Sequence, residues 1–427
     1  MPENKKENME QAIHDFLTSP FSLNFERPAE EFETHGVWSR FRDLGTHLWL
    51  DTGSLPDIEK LWTREFSALT TNNTLLNREV QTGQYDELIR QADELLEQFS
   101  LSPREKLLEI AFILNAHHGL RLVDRFNAFV SVEEHTDLAN DLDRAVSYAR
   151  RFHAVCPERF IVKIPFTPAG VLATRKVRRE GIAVNHTLGF GARQNYLVTR
   201  IARPSYVNVF LGRLNSFVKD NNLGSGEYIG EKAALASQSA VTQIRQEYNI
   251  ETQQIAASLR NGQQVIDLAG MDVFTMPPKA AEQALSLIKD PQTVTDKTET
   301  VYTPGVNSEP DPHRFRLETL WEIDKPLVYA VDRLEKENLD SFSADDLVDF
   351  LHQQNVTDLF VRWSRDQIDT SREEGKIPKL ENWKEPLASG RIGLDSLMNL
   401  AGLNSFITDQ TAMDDRVSGV LEKIKTT

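Results

Sequence analysis

Between residues 40 and 290, eight short strand-like runs recur with longer stretches of helical spacing between them, and this alternation constrains the fold more than any other feature. The runs are residues 47–50, 66–69, 126–130, 160–164, 182–188, 206–211, 254–258 and 273–276, with helical segments such as 85–99, 137–153, 170–180 and 230–248 between them. Strands that alternate with helices return to one parallel sheet through crossovers. Eight such units predict an α/β fold, a (β/α)8 barrel over residues 31–295, with an open doubly wound sheet as the competing architecture.

The flanks read differently. Residues 1–30 are expected to form a mobile N-terminal arm with one short helix, and residues 296–427 a linker and a helical C-terminal extension packed on the barrel. The stretch 292–312 is polar and carries Pro304, Pro310 and Pro312, as a surface linker would. Beyond it, Ser343 followed by Asp345 and Asp346 marks a helix start, and residues 392–403 and 417–424 have helical apolar spacing.

Composition removes several classes of function. A formal net charge of -16 opposes nucleic-acid binding, which draws its affinity from clustered Lys and Arg. The single cysteine, Cys156, allows neither an internal disulfide nor a multi-cysteine metal site, and fits a reducing compartment. No apolar stretch approaches the roughly 20 residues that span a bilayer, and the first residues lack an apolar signal core. A cytoplasmic protein with no membrane contact is expected.

In a barrel the chemistry gathers where the strands end. One such end stands out, because Lys163 sits inside the apolar run Arg159-Phe-Ile-Val-Lys-Ile-Pro165. Burying an amine favours its neutral, nucleophilic form, which is what attack on a carbonyl requires. The other ends offer Asp51, Asn72, Glu133, Asn185 and Thr187, Asn208 and Phe210, Arg213, Ser258 and Arg260. Period-two geometry puts Asn185 and Thr187 on one strand face, Asn208 and Phe210 on another, and turns His186 away. Asp51-Thr-Gly-Ser54 resembles half of an aspartic-protease site, but no second such triplet occurs, and His117-His118 lacks the spacing of a helical metal pair.

Taken in order, these motifs resemble the transaldolase family: Lys163-Ile-Pro165, Asn185-x-Thr187-Leu188, Phe210-Leu-Gly-Arg213, then Ala257-Ser-Leu-Arg-Asn261. Leu50-Asp-Thr52, Thr70-Thr-Asn72, Val130-Ser-x-Glu133 and Leu268-Ala-Gly-Met-Asp272 fall in the same order. The resemblance runs from about residue 47 to 278, each match short but the series ordered at barrel spacing. It implies that Lys163 forms a Schiff base with a ketose phosphate, that Asp51 is the acid/base at the C4 hydroxyl, and that Glu133 with Thr187 moves protons through a water. Asn72, Asn185, Asn208 and Phe210 would line the sugar subsite, and Arg213, Ser258 and Arg260 would hold phosphate. No cofactor and no metal are implied; sugar phosphates are the partners, and a homodimer is left open.

The sequence departs from the family at three places. Asn208 stands where a serine is usual, Asn73 replaces the proline after Thr-Thr-Asn, and Gly191 replaces a serine after Phe190. Phe210 favours transfer, since the related fructose-6-phosphate aldolases tend to carry tyrosine there. An aldolase that releases dihydroxyacetone and a non-catalytic sugar-phosphate-binding barrel are the alternatives.

Overall fold

A computed structural model of the chain describes residues 3–26, 32–309 and 311–426; Pro310 of the linker and the two ends of the expected arm lie outside them. Eight parallel strands close in sequence order: β1 (His47–Asp51), β2 (Phe66–Thr70), β3 (Phe129–Glu133), β4 (Phe160–Pro165), β5 (Val184–Thr187), β6 (Tyr206–Phe210), β7 (Gln253–Ala257) and β8 (Val273–Met276). β8 pairs back onto β1, with Leu48 beside Phe274 and Trp49 beside Thr275. The fold is therefore the closed (β/α)8 barrel and not the open sheet, and closure leaves no strand edge to protect.

Alternation along each strand sends one residue in two into the lumen. Trp49 and Tyr206 meet there edge to face at 4.7 Å, and above them the Thr70 and Thr275 hydroxyls share a 2.7 Å hydrogen bond. Apolar filling below and polar groups above leave the strands' C-terminal ends for chemistry.

The third strand begins later than its sequence signal, because a 24-residue helix, Pro103–Phe126, claims Phe126 as its last residue. Ser102 and Glu105 close a capping box at its start, and Asn127 ends it in the left-handed conformation at φ 50°. The helix is apolar on most of its circumference and buried, so its periodicity is weak and the 126–130 run straddles its cap.

Within the expected N-terminal arm lies one helix, Glu3–Thr18, packed with Met9, Ile13 and Leu17 buried at a spacing of four. The linker is equally well fixed. Tyr302 stacks on Tyr228 at 4.5 Å and donates to the carbonyl of Asp267 at 2.7 Å. The extension holds the helices Lys325–Leu334, Ala344–Gln353, Arg365–Glu374, Leu380–Ala388 and Leu394–Thr426, and Ser343 caps the second of them through Asp346. The two expected pieces at 392–403 and 417–424 are one 33-residue helix. Its polar middle escapes the apolar pattern because Asp409, Asp414 and Arg416 reach Thr74, His135 and Asp86 on the barrel. Among the described residues no helix is long and apolar enough to cross a membrane.

Candidate active site

The parallel register sets Lys163 on β4 beside Glu133 on β3 and Asn185 on β5. The lysine is 3% exposed, its Nζ 3.8 Å from Glu133 Oε1 and donating to the carbonyl of Thr71 at 3.3 Å. Lys163 therefore faces the lumen beside an acid. Glu133 Oε2 accepts the backbone N–H of Asn73 at 2.9 Å. Burial pushes the Glu133 carboxyl above its ordinary range, while the Lys163 charge and the Asn73 N–H hold it down. Asp51, at the end of β1, is likewise raised by burial and drawn back by Lys163, then by Arg78 and Arg260.

A belt of polar side chains runs round the lumen from these groups. Asn185 Nδ2 donates to Ser131 Oγ at 3.1 Å, and Asn208 Nδ2 donates to Asn185 Oδ1 at 3.1 Å. Asn208 Oδ1 in turn accepts the N–H of Gly189 at 3.4 Å. A Cβ at Gly189 would lie 2.2 Å from the carbonyl of Asn208, so only glycine lets the β5 loop come this close to β6. Asn72 caps the helix Asn73–Gln81 by accepting the N–H of Leu75 at 2.8 Å, which fixes it at the end of β2.

Across the cavity lies a cationic end. Arg213, in the first turn of the helix Leu211–Asp220, is buried with Nη1 unpartnered, and burial together with Arg260 pulls its pKa down to about 10. Among the described residues neither the Arg213 nor the Arg260 guanidinium makes a hydrogen bond or an ion pair. Ser258, which lines the same cavity, holds a left-handed φ of 61°, a strained conformation that surrounding structure must maintain. Two planar forks without carboxylate partners suit a doubly charged oxyanion.

One cavity of about 360 Å³ joins these ends, lined among others by Asp51, Asn72, Lys163, Asn185, Asn208, Phe210, Arg213, Ser258 and Arg260. Two expected residues do not line it. Glu133 lies behind Lys163, and Thr187 is fully buried at the end of β5 with a hydroxyl that has no partner among the described residues. His186 points outward, as alternation requires, sharing a 3.0 Å hydrogen bond with Thr174.

Among the lining residues that the sequence did not mark are Arg78, Lys376 and Phe406. The last two come from the extension, more than 200 residues from Lys163 in the chain, and no local spacing could have marked them. The Phe406 ring stands 5.8 Å from Lys163 Nζ and 5.7 Å from the Arg213 guanidinium, forming a wall shared by both ends of the cavity.

The model of the family described as Transaldolase/Fructose-6-phosphate aldolase matches residues 48–348, from β1 into the extension. A transaldolase of Gloeobacter violaceus is 28% identical over 245 residues, which is 55% of this chain and 61% of that protein. A transaldolase of a Nostoc species is 26% identical over 257 residues, covering 57% and 75%. A probable transaldolase of Thermus thermophilus is 32% identical over 250 residues, covering 58% and 92%. The match thus spans about three fifths of the length of the first relative. With a family match that starts on the first strand, runs through the whole barrel and takes in well over half of its residues, this chain belongs to the transaldolase/fructose-6-phosphate aldolase family.

Proposed function

We propose that this chain is a transaldolase that moves a dihydroxyacetone unit between a ketose phosphate and an aldose phosphate. Sedoheptulose 7-phosphate and glyceraldehyde 3-phosphate would give erythrose 4-phosphate and fructose 6-phosphate. The observation that carries this reading is a buried amine, Lys163, 3.8 Å from an acid, in a cavity that also holds two guanidiniums unpaired among the described residues.

In this mechanism the Lys163 amine, once deprotonated, attacks C2 of the ketose, and loss of water from the carbinolamine gives an iminium. Glu133, next to the nitrogen and supported by the Asn73 N–H, supplies and takes the protons of those steps. The iminium accepts the electron pair of the C3–C4 bond as that bond breaks, and Asp51 takes the proton of the C4 hydroxyl. The aldose leaves, and a three-carbon enamine stays on Lys163. Attack of this enamine on the aldehyde carbon of a second aldose forms the new bond while Asp51 returns the proton. Hydrolysis of the iminium then frees both the ketose and the lysine. Asn72, Asn185 and Asn208 offer donors and acceptors to the hydroxyls, and Arg213, Ser258 and Arg260 hold the phosphate. Phe210 brings no phenol to the cavity, which favours transfer over release of free dihydroxyacetone. The single cysteine is buried, and a reducing cytoplasmic setting is part of this reading.

Borohydride reduction in the presence of fructose 6-phosphate, followed by peptide mass mapping, tests it. A dihydroxyacetone-sized adduct on the peptide carrying Lys163 is expected, and Lys163→Arg should abolish both the adduct and turnover while leaving the fold intact. An adduct on another residue would end the assignment. Free dihydroxyacetone released without an acceptor would shift the reading to an aldolase.

A further inference from the structure

Two cations at the cavity mouth have no part in the chemistry above: Arg78, on the helix Asn73–Gln81, and Lys376, from the extension. Lys376 follows Gly375, whose φ of 77° turns the chain as the helix Arg365–Glu374 ends. Its ammonium lies 3.9 Å from Asp409, at the edge of ion-pair reach, and the side chain remains 52% exposed. Asp409 is itself tied to the barrel by a hydrogen bond from Thr74.

Apart from Asp409, the charged groups acting on this lysine are cations. Burial lowers its pKa, Asp409 opposes that, and Arg213, Arg78 and Arg260 lower it further. A lysine needed only to dock the extension would sit among carboxylates. This one lines the same cavity as the Arg78, Arg213 and Arg260 guanidiniums, which among the described residues have no hydrogen-bonded anion of their own. A phosphate monoester, doubly charged near neutral pH, would relieve that repulsion at every one of these groups.

We propose that Lys376 is a specificity-determining residue that binds the phosphate of the sugar substrate, so that the extension completes an anion pocket the barrel only begins. Asp409 keeps the ammonium aimed at the mouth, and the phosphate oxygens supply its second acceptor. The proposal rests on the sugar-phosphate reading above and extends it to a residue outside the barrel.

Lys376→Gln tests it, with Lys376→Arg as the charge-preserving variant and Lys379→Gln as a nearby surface control. At low ionic strength Lys376→Gln should raise KM for fructose 6-phosphate by about tenfold, with kcat within about twofold, and weaken competitive inhibition by inorganic phosphate to a similar degree. The effect should shrink as salt is added. Turnover of unphosphorylated fructose should be unchanged, Lys376→Arg should recover most of the loss, and Lys379→Gln should behave like the unaltered protein. Unchanged KM and unchanged phosphate inhibition in Lys376→Gln would overturn the proposal. So would equal losses on fructose and fructose 6-phosphate with a lowered Tm, the signature of a docking lysine. Both results leave the Lys163 adduct in place, whereas absence of that adduct from the unaltered protein removes the function itself and this proposal with it.

Discussion

Asn73 shows how much a single backbone group can decide. Where the family resemblance leads one to expect proline, this chain has an asparagine whose N–H donates to Glu133 at 2.9 Å, a bond proline cannot make. Its side chain also donates to the carbonyl of Glu134 at 3.0 Å. Proline would nonetheless fit, because Asn73 opens a helix and Asn72 before it is extended, with φ -159° and ψ 169°. Asn73→Pro therefore removes one stabiliser of the ionised carboxylate, and a carboxyl already raised by burial moves higher still. The group must be ionised to accept a proton, so the acid limb of kcat/KM should shift to higher pH. Asn73→Ala, which keeps the N–H, should leave that limb where it is. A pH–rate profile that does not separate the two variants would show that Glu133 does not govern this limb. Lys163, Asp51 and the arginines were legible in the sequence because strand ends converge in a barrel and side-chain chemistry is written in residue type. The part played by Asn73 was not legible, since it is carried by a main-chain donor that every residue except proline possesses.

Among the elements, the helix that opens at Ala192 after β5 explains the departure at Gly191 and anchors the extension. A Cβ at Gly191 would lie 2.8 Å from the carbonyl of Thr319 and 3.1 Å from the Asp395 side chain, so a serine there would collide with the docked extension. Two residues on, Arg193 donates to Asp395 at 2.7 and 2.8 Å and to Asp358 at 2.9 Å. Against the pull of burial, Asp395 and then Asp358 raise the arginine's pKa and keep it charged. Truncating one member of such a buried pair leaves the other without compensation. Asp395→Asn should therefore destabilise the protein by about 3 kcal/mol, read from urea unfolding. A change below about 0.5 kcal/mol would mean that water or Asp358 replaces the lost charge. The barrel strands were legible because each run is short, apolar and bounded. The long C-terminal helix was only half legible, because its middle residues satisfy partners on the barrel and not an apolar stripe.

Over the whole molecule, the extension shares its interior with the barrel. One buried core takes Met9 from the N-terminal helix, Leu188 and Phe190 from the β5 loop, and Leu397, Met398 and Phe406 from the last helix. A second joins Phe166, Val171 and Leu197 of the barrel to Leu327, Val331, Leu347 and Phe360 of the extension. Both cores draw residues from either side of residue 296, so the barrel and the extension are expected to fold together. Equilibrium unfolding should then be a single transition. Trp363 and Trp383 pack edge to face 6.0 Å apart within the extension, and a fluorescence change from that pair should coincide with the loss of helix by far-UV circular dichroism and with the loss of the capacity to form the Lys163 adduct. Removing residues 296–427 should expose the apolar surface now covered at Leu188 and Phe190 and yield a chain that binds hydrophobic dye and aggregates. Two resolved transitions, or a monomeric and active truncated barrel, would instead make the extension a dispensable domain. Lys376 and Phe406 could not then complete the site.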